Sequence, residues 1–385
     1  MTIVSDTTAQ IDRLYVALDL SKESWVVVLT SMGEEKLRTH RIDARTDNAL
    51  GELLALIERH RAALAKRLGR PVSVMSCYEA GPDGFWLHRA LSAHAIDNLV
   101  LDPASLRVDR RVRRAKTDRI DAEMLVRALM GWARGDRQAC RPVRVPTPEQ
   151  EDARRLGRER ERLLKEKTAH TNRIESLLVT LGVRGFAPLR ANWSQRLAAL
   201  RDWAGQALPA HLTAEITRQV ERLHIVVAQL VIVTRAIESR VRAEAKVEAP
   251  SRSAPGQITR LASLGPIGAD TLGHEVFWRD FANRRQIANY VGITGTPDAS
   301  GQTSREQGIS KAGNRRARKI LVELAWLWLK HQPDSALTKW FNNRTAGQHR
   351  RMRRIMIVAL ARKLLIALWR FLTTGLVPQG ARLKA

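Results

Sequence analysis

The stretch YVALDLSKESWVVVLTS, residues 15–31, holds two apolar runs separated by a short polar turn at residues 22–24. The runs at 15–21 and 25–31 are rich in β-branched residues, which is typical of buried strands. An alternating run follows at residues 36–43 and predicts a third strand. The sequence therefore predicts a three-strand antiparallel meander at the start of a domain.

Helix and strand signals alternate after this meander. Apolar residues at helical spacing predict a helix over residues 48–68, and a second helix is predicted at 84–95. Apolar runs at residues 72–80 and 98–103 predict two more strands. We therefore expect an α/β domain with a mixed sheet, extending over residues 13–140.

Acidic residues stand at the ends of the predicted strands. Asp19 lies in the first apolar run, where a carboxylate is costly to bury unless it binds something, and Glu79 closes the fourth strand. In the stretch KTDRIDAEML, residues 116–125, Asp118 and Asp121 are three residues apart at the start of a predicted helix. Residues at this spacing share a helix face.

These four carboxylates form one site if the first and fourth strands are neighbours. Asp19 and Glu79 then lie side by side, and the helix that carries Asp118 and Asp121 completes the cluster. Four carboxylates repel one another unless cations lie among them, and Mg²⁺ prefers oxygen ligands. Two such ions about 4 Å apart stabilise both the attacking and the leaving oxygen in phosphoryl transfer. The sequence thus predicts a magnesium site.

The charge of the chain indicates a polyanionic partner. The formal net charge is +26 and the pI is near 11.3, which favours DNA, RNA or an anionic membrane. Seven Lys or Arg residues fall between 107 and 119. Those that we expect to bind nucleic acid are Arg110, Arg111, Arg113, Arg114 and Lys116.

Other classes of protein are less favoured. No apolar run reaches the roughly 20 residues that span a bilayer, and residues 1–13 do not resemble a signal peptide. The two cysteines, Cys77 and Cys140, have no metal-ligand spacing, so neither a disulfide framework nor a zinc site is predicted. We expect a cytoplasmic bacterial protein that associates with the nucleoid when it binds DNA, and no membrane partner.

The words VALDLSK, YEAGPDGFWL and KTDRIDAEML resemble three motifs of one transposase family. They are similar to the RuvC-like, ribonuclease-H-fold domain of the bridge-RNA-guided DEDD transposases of the insertion-sequence-110 family, which are related to the Piv DNA invertases. The resemblance implies that Asp19, Glu79, Asp118 and Asp121 are catalytic and hold Mg²⁺. It also implies donor and target DNA as substrates and an element-encoded, non-coding bridge RNA as a partner.

A Pro-containing linker near residues 142–148 leads to a central helical region, residues 149–248. Two long helices with apolar seams are predicted at residues 149–183 and 213–247, which suggests an antiparallel hairpin or a coiled coil. Such seams serve either intramolecular packing or self-association. The family resemblance favours a homo-oligomer, either a dimer or a tetramer.

A second linker, residues 248–258, precedes a mainly helical C-terminal domain over residues 258–378. The segment LASLGPIGADTLGHEV, residues 261–276, is similar to a helix–hairpin–helix, in which Gly265 and Gly268 would bring backbone amides to a phosphate. A simple connector between two helices is the alternative interpretation.

The block GITGTPDASGQTSREQGISKAGNRRARKILVELAWLWLK, residues 292–330, begins as a Gly/Ser/Thr/Pro-rich loop and ends as a basic amphipathic helix. It resembles the C-terminal transposase domain of the same family. This resemblance implies that Ser300 is the nucleophile, although the residues alone leave other loop hydroxyls open, and that the RuvC-like carboxylates and their metal act with it. We expect Lys311, Asn314, Arg315 and Arg316 to bind the phosphate backbone, a solvated helix face being the alternative.

Three functions follow from these patterns. The first is a transposase or site-specific recombinase that cuts and rejoins DNA with Mg²⁺-bound carboxylates and a serine nucleophile. The second is a metal-dependent nuclease or junction resolvase that does not use the serine. The third is a catalytically inactive nucleic-acid-binding relative.

Overall fold

The computed structural model describes residues 12–34, 36–106, 118–248, 252–300 and 303–384. The chain divides into two units, residues 1–146 and 147–385. The division falls in the predicted Pro-containing linker. The predicted central region and C-terminal domain both lie in the second unit, and their separation into two domains stays a prediction.

The first unit is built on a mixed sheet of five strands in the order β3-β2-β1-β4-β5. Strands β1, β2 and β3 form an antiparallel meander, whereas β1, β4 and β5 run parallel. This sheet confirms the α/β prediction and is consistent with a ribonuclease-H-like domain. The strands are β1 (Arg13–Leu20), β2 (Ser24–Ser31), β3 (Arg38–Asp43), β4 (Ser73–Glu79) and β5 (Asp97–Leu101).

Three helices cover the two faces of this sheet. Helices α1 (Ala49–Leu68) and α2 (Trp86–Ala93) pack on one face, in a core that contains Val16, Val27 and Leu53. Helix α3 (Asp118–Ala133) packs on the other face. Strands β1 and β2 contribute to both cores because alternate side chains point to opposite faces, whereas β3 contributes Ile42 to the first core.

The second unit begins with a long helical hairpin. The predicted helix at residues 149–183 is divided into α4 (Pro148–Asp152) and α5 (Arg155–Val179), and a short α6 (Trp193–Ala199) precedes α7 (Ala210–Lys246). Helices α5 and α7 are antiparallel, because Arg160 bonds Thr234 whereas Arg173 pairs with Glu215. The two seams therefore pack within one chain, and self-association stays a prediction.

The remainder of the second unit is mainly helical, as predicted. Its helices share a core with the first half of α5 and the second half of α7, and Trp328 and Phe341 are fully buried in it. Two of its helices were not predicted from the sequence: Ala254–Ile258, which lies in the predicted second linker, and Ala336–Thr345. The helices are α8 (Ala254–Ile258), α9 (Pro266–Glu275), α10 (Arg284–Val291), α11 (Arg315–His331), α12 (Ala336–Thr345) and α13 (Arg350–Thr374).

The segment predicted as a Gly/Ser/Thr/Pro-rich loop is instead an antiparallel hairpin. Strands β6 (Gly295–Ser300) and β7 (Thr303–Ile309) pair with an irregularity between Gly295 and Pro297. The prediction was wrong because residue types that favour turns also occur in short two-stranded ribbons. Within the described ranges, no helix is both long and apolar enough to cross a bilayer.

Candidate active site

Two predicted catalytic carboxylates lie at one edge of the sheet in the first unit. The parallel register of β1 and β4 pairs Leu18 with Tyr78, so Asp19 and Glu79 are the next residues along the two neighbouring strands. Asp19 is half-buried and Glu79 is exposed. The predicted adjacency of the first and fourth strands is therefore present.

Both carboxylates belong to the sheet face that α3 covers. Tyr15 and Ala17 on β1, and Met75 and Cys77 on β4, are buried against α3. Because side chains alternate along a strand, residues two further on, which are Asp19 and Glu79, project to the same face. The two carboxylates thus continue the rows of residues that α3 covers.

Helix α3 carries its own carboxylates in line with its buried face. Ala122 and Leu125 are buried against the sheet, and Asp118 and Asp121 precede them by one helical turn, on the same face. Asp121 is half-buried. The side chain of Asp118 lies outside the described part of the structure.

The direction of α3 brings its first turn to the edge that carries Asp19. Arg134, just after the end of α3, donates a hydrogen bond to the Sδ of Met32 at 3.5 Å. Met32 follows β2, whose last residue, Ser31, pairs with Leu14 at the start of β1. The end of α3 therefore lies at the start of β1, and its beginning lies where β1 and β4 end.

The carboxylates offer the right donor type for a hard cation but do not form a closed site. Carboxylate oxygens suit Mg²⁺, and Asp19, Glu79 and Asp121 are all at least partly accessible. Among the side chains that the structure describes, no three from Asp, Glu, His and Cys are grouped closely enough to hold a metal. Asp118 is not among them, so the complete set of four is not tested.

Ser300, the predicted nucleophile, is the last residue of β6 and pairs with Thr303 at the tip of the hairpin. Its side chain lies outside the described part, as do those of residues 297–307. The base of the hairpin is fixed by two backbone hydrogen bonds, from Ser310 N to Thr294 O at 2.9 Å and from Lys311 N to Gly292 O at 3.1 Å. The hairpin thus extends from the junction between α10 and α11.

Asn314 is held by the protein at this junction. Its side-chain oxygen accepts a hydrogen bond from Ala317 N at 3.0 Å and caps α11. Its Nδ2 donates to the backbone oxygen of Glu275 at 3.1 Å and to Oε2 of the same residue at 3.0 Å. Both amide hydrogens are therefore used within the protein. These contacts give Asn314 a positioning role, and its predicted phosphate contact stays untested.

Glu275 connects three helices beneath this junction. It accepts a hydrogen bond from Arg158 Nε of α5 at 2.9 Å in addition to the one from Asn314. Burial raises the pKa of Glu275, but the hydrogen bonds from Arg158 and Asn314 outweigh it, so the pKa is lowered and the carboxylate stays ionised. The sequence alone did not identify Glu275 or Arg158, because they are 117 residues apart.

The predicted cations at the start of α11 differ in their surroundings. Lys311 and Arg315 are exposed. Arg316 is exposed too, but its Nε lies 2.5 Å from Oε2 of Glu161 on α5. Burial raises the pKa of Glu161. The hydrogen bond from Arg316 and its positive charge lower the pKa by a larger amount, so the net shift is downward. Arg316 therefore meets an anion of its own chain, which sequence spacing did not indicate.

The two predicted hairpin glycines have different environments. Gly265 precedes α9, and a Cβ there would meet nothing within 4 Å. Gly268 is buried, and a Cβ there would lie 2.8 Å from Cδ2 of Leu324 on α11. Gly268 thus allows α9 and α11 to pack closely, and the predicted phosphate contact of both glycines is untested. Arg110, Arg111, Arg113, Arg114 and Lys116 lie outside the described residues.

Two regions of the chain, residues 16–182 and 257–340, match models of transposase families. A transposase family model, that of the DEDD domain of IS110 elements, matches residues 16–182. A second model, described as the transposase IS116/IS110/IS902 family, matches residues 257–340. The first match covers Asp19, Glu79, Asp118 and Asp121, and the second covers Ser300.

Individual transposases are similar over most of this chain. A putative transposase, y4rJ, of Sinorhizobium fredii is 43% identical over 386 residues, which cover 98% of this chain and 97% of the relative. The transposase for insertion sequence element IS1328 of Yersinia enterocolitica is 26% identical over 69% of this chain and 74% of its own length. The transposase for element IS1111A of Coxiella burnetii is 28% identical over 68% of each chain.

Proposed function

Since the chain belongs to the IS110 family of transposases, we propose that it cuts and rejoins DNA with a metal-binding carboxylate set and a serine nucleophile. The observation that carries this proposal is the shared edge of the first unit. Asp19 is next to last in β1 and Glu79 is last in the neighbouring parallel strand β4, and α3 begins at the same edge with Asp118 and Asp121. Both halves of the predicted motif set fall within regions that match transposase models.

The carboxylates would hold Mg²⁺, which when bound supplies positive charge to the oxygens of the reacting phosphate. Asp19 and Glu79 are fixed by the sheet, so they would give the site a rigid side. Asp118 and Asp121 stand on the first turn of α3. This arrangement allows the four oxygen donors to close around a cation when the cation and the phosphate are present.

Ser300 would attack a phosphodiester of the DNA through its Oγ. A new bond forms between Oγ and phosphorus, and the bond from phosphorus to one deoxyribose oxygen breaks. The hydroxyl proton of Ser300 leaves, and the released deoxyribose oxygen gains a proton. The phosphoserine link keeps a phosphodiester bond in place of the one broken, so a second DNA end can be joined without an external energy source.

The partners in this proposal are donor and target DNA, an element-encoded bridge RNA and further copies of the chain, as a dimer or tetramer. The positive charge of the chain supports binding of both nucleic acids. We propose a cytoplasmic location with association to the nucleoid.

Recovery of a covalent protein–DNA adduct in Mg²⁺ tests the serine step. We expect mass mapping of the wild-type adduct to find the modification at Ser300, and we expect Ser300→Ala to form none. The matched control is Ser304→Ala, which removes a hydroxyl from β7 of the same hairpin and should keep the adduct. Normal recombination by Ser300→Ala would contradict serine chemistry and favour a nuclease or resolvase.

Cleavage by Asp121→Asn tests the carboxylate step. The substitution keeps the shape of the side chain and removes its charge, so we expect strand cleavage to fall by about a hundredfold or more, the range of several kcal/mol that a metal ion contributes. The control is Glu123→Gln on the same helix, which is also half-buried and should keep cleavage. If Asp121→Asn cleaves at the wild-type rate, the metal site is wrongly assigned.

A further inference from the structure

A positively charged groove lies beside the base of the β6–β7 hairpin in the second unit. It has a volume of about 820 Å³ and is bounded by the start of α10, the hairpin base at Gly295 and Gly308, and the first half of α13. Its described lining includes apolar side chains such as Ile355, Val358 and Ile366, and none of the lining residues that the structure describes is Asp or Glu. The cations that line it are Arg284, Arg285, Lys311, Arg354, Arg362 and Lys363.

A second cavity, of about 410 Å³, continues this groove along α13. The two cavities share Arg284, Lys363 and Ile366, and the second adds Arg370. Its described lining contains no acidic residue either. We call the two together the α13 groove.

The cations of the α13 groove have no carboxylate partner among the side chains that the structure describes. None of the seven forms an ion pair with a carboxylate in the described part of the chain, whereas Arg158 and Arg316 nearby pair with Glu275 and Glu161. Lys363 is held in place by the ring of Trp340, whose centroid is 4.6 Å from Nζ. Like charges gathered without anions repel one another, and a polyanion in the groove removes that repulsion.

We propose that the α13 groove binds the phosphate backbone of duplex DNA next to the strand that Ser300 attacks. From Arg354 to Arg370 the helix rises about 24 Å, since each residue adds about 1.5 Å. Along the axis of a duplex, that length contains about seven phosphates of each strand, since each strand carries one phosphate per about 3.4 Å of axis. The inference rests on the proposed function, because the groove opens at the hairpin that carries Ser300.

The chemistry of the lining favours a duplex, bound without regard to its sequence. None of the described residues that line the two cavities is aromatic, so this part of the groove offers no stacking platform for unpaired bases. In the cavity beside the hairpin, the described lining also lacks Asn, Gln, Asp and Glu, which could bond base edges. The lining cations can bind the phosphates of any duplex, and phosphate contacts fix the position of a duplex without carrying sequence information.

Salt dependence of DNA binding by the full-length chain tests the proposal. Affinity for a 25-base-pair duplex of arbitrary sequence is measured without Mg²⁺ over a range of salt concentrations. The variant combines Arg362→Gln, Lys363→Gln and Arg370→Gln. Each phosphate contact contributes about −0.9 to the slope of log affinity against log salt concentration. We therefore expect the slope of the variant to be less steep by about 2 to 3.

A matched control removes the same charge elsewhere in the second unit. It combines Arg218→Gln, Arg222→Gln and Arg235→Gln, three exposed cations of α7 that line neither cavity. We expect the control to keep the wild-type slope. A slope that is unchanged in the α13 variant, or equally reduced in the control, overturns the proposal.

The same titration with single-stranded RNA shows whether the groove binds DNA or RNA. If the triple variant has a less steep slope than the wild-type chain for RNA but not for DNA, the groove binds RNA and the DNA assignment is overturned. Because binding is measured without Mg²⁺, failure of the Ser300 chemistry leaves this result unaffected, and the two proposals fail separately.

Acetylation of lysines in the wild-type protein, with and without the same duplex, gives a second measurement that needs no variant. We expect DNA to protect Lys363 and Lys311 from acetylation, because a lysine bound to phosphate is less accessible to the reagent. Protection confined to lysines outside the groove would overturn the proposal.

Discussion

Gly292 ends α10 in the left-handed conformation and lies against the backbone that leads into α11. Its φ is 71°, and a Cβ there would lie 1.7 Å from the carbonyl oxygen of Ala312. Gly375 ends α13 with almost the same φ, 72°, but a Cβ there would meet nothing within 4 Å. The two positions therefore separate the cost of the backbone conformation from the cost of the close approach.

We expect Gly292→Ala to destabilise the second unit far more than Gly375→Ala. The left-handed conformation costs an L-residue about 1 to 2 kcal/mol, so Gly375→Ala should lower the free energy of unfolding by that amount. Gly292→Ala adds a backbone clash and should cost several kcal/mol in total. Chemical denaturation measures both, and equal losses would show that the close approach at Ala312 is not rigid.

Single residues also show what sequence alone could predict. Asp19 stood out because a carboxylate interrupts an apolar strand, and Glu79 was expected beside it if the first and fourth strands were neighbours, which they are. The contacts of Asn314 and Arg316 could not be predicted, since Glu275 and Glu161 come from distant helices. Local pattern identifies a residue that is out of place, whereas its partners are set by packing.

Strand β3 and helix α1 of the first unit meet through two histidines. His60 Nε2 lies 3.2 Å from His40 Nε2, and Nη1 of Arg38 lies 3.3 Å from His60 Nδ1. Because Arg38 only donates, His60 Nδ1 accepts, and its Nε2–H donates to His40. Both rings are therefore neutral in this arrangement.

We expect acid to weaken the contact between these two elements. Burial lowers the pKa of His40, with Arg59 and Arg38 adding to the shift. Burial also lowers the pKa of His60, which His40, Arg38 and Arg59 lower further and Glu34 opposes. In the unfolded chain the pKa of histidine is near 6.5, and folding lowers it. The stability that these neutral histidines contribute is therefore present above the unfolded pKa and is lost as pH falls through the folded pKa.

Unfolding of the chain at pH 7.5 and pH 5.5 measures this effect. His40→Leu should reduce the pH dependence of the free energy of unfolding of the first unit, whereas His94→Leu, at an exposed position of the same unit, should keep it. A pH dependence that survives in His40→Leu would mean that other groups cause it.

Elements were predictable where their pattern was long or strongly alternating. The five strands and three main helices of the first unit follow from periods of two and 3.6 residues, and the long helices of the second unit follow from their apolar seams. The β6–β7 hairpin and α12 were missed. Both are short: α12 is held by packing against α13, and the hairpin by the pairing of its own two strands, rather than by local preference alone.

The whole chain has two sets of cores, one in each unit. Leu53 is fully buried between the sheet and α1 in the first unit, and Leu364 is fully buried among the helices of the second. The sequence predicted that a boundary lies near residues 142–148, because Pro residues interrupt the pattern there. It could not predict which helices share a core, since α5 and α7 each contribute to two clusters in the second unit.

We expect core substitutions to act within their own unit. Leu53→Ala and Leu364→Ala each remove buried methyl groups and leave a cavity, which costs about 2 to 5 kcal/mol. Hydrogen exchange measured peptide by peptide should show faster exchange within residues 12–146 for Leu53→Ala and within residues 147–384 for Leu364→Ala. The double variant should show the sum, because the two sites share no partners. Faster exchange in the second unit on Leu53→Ala would show instead that the two units unfold as one cooperative body, and each proposed chemical step would then depend on the stability of both.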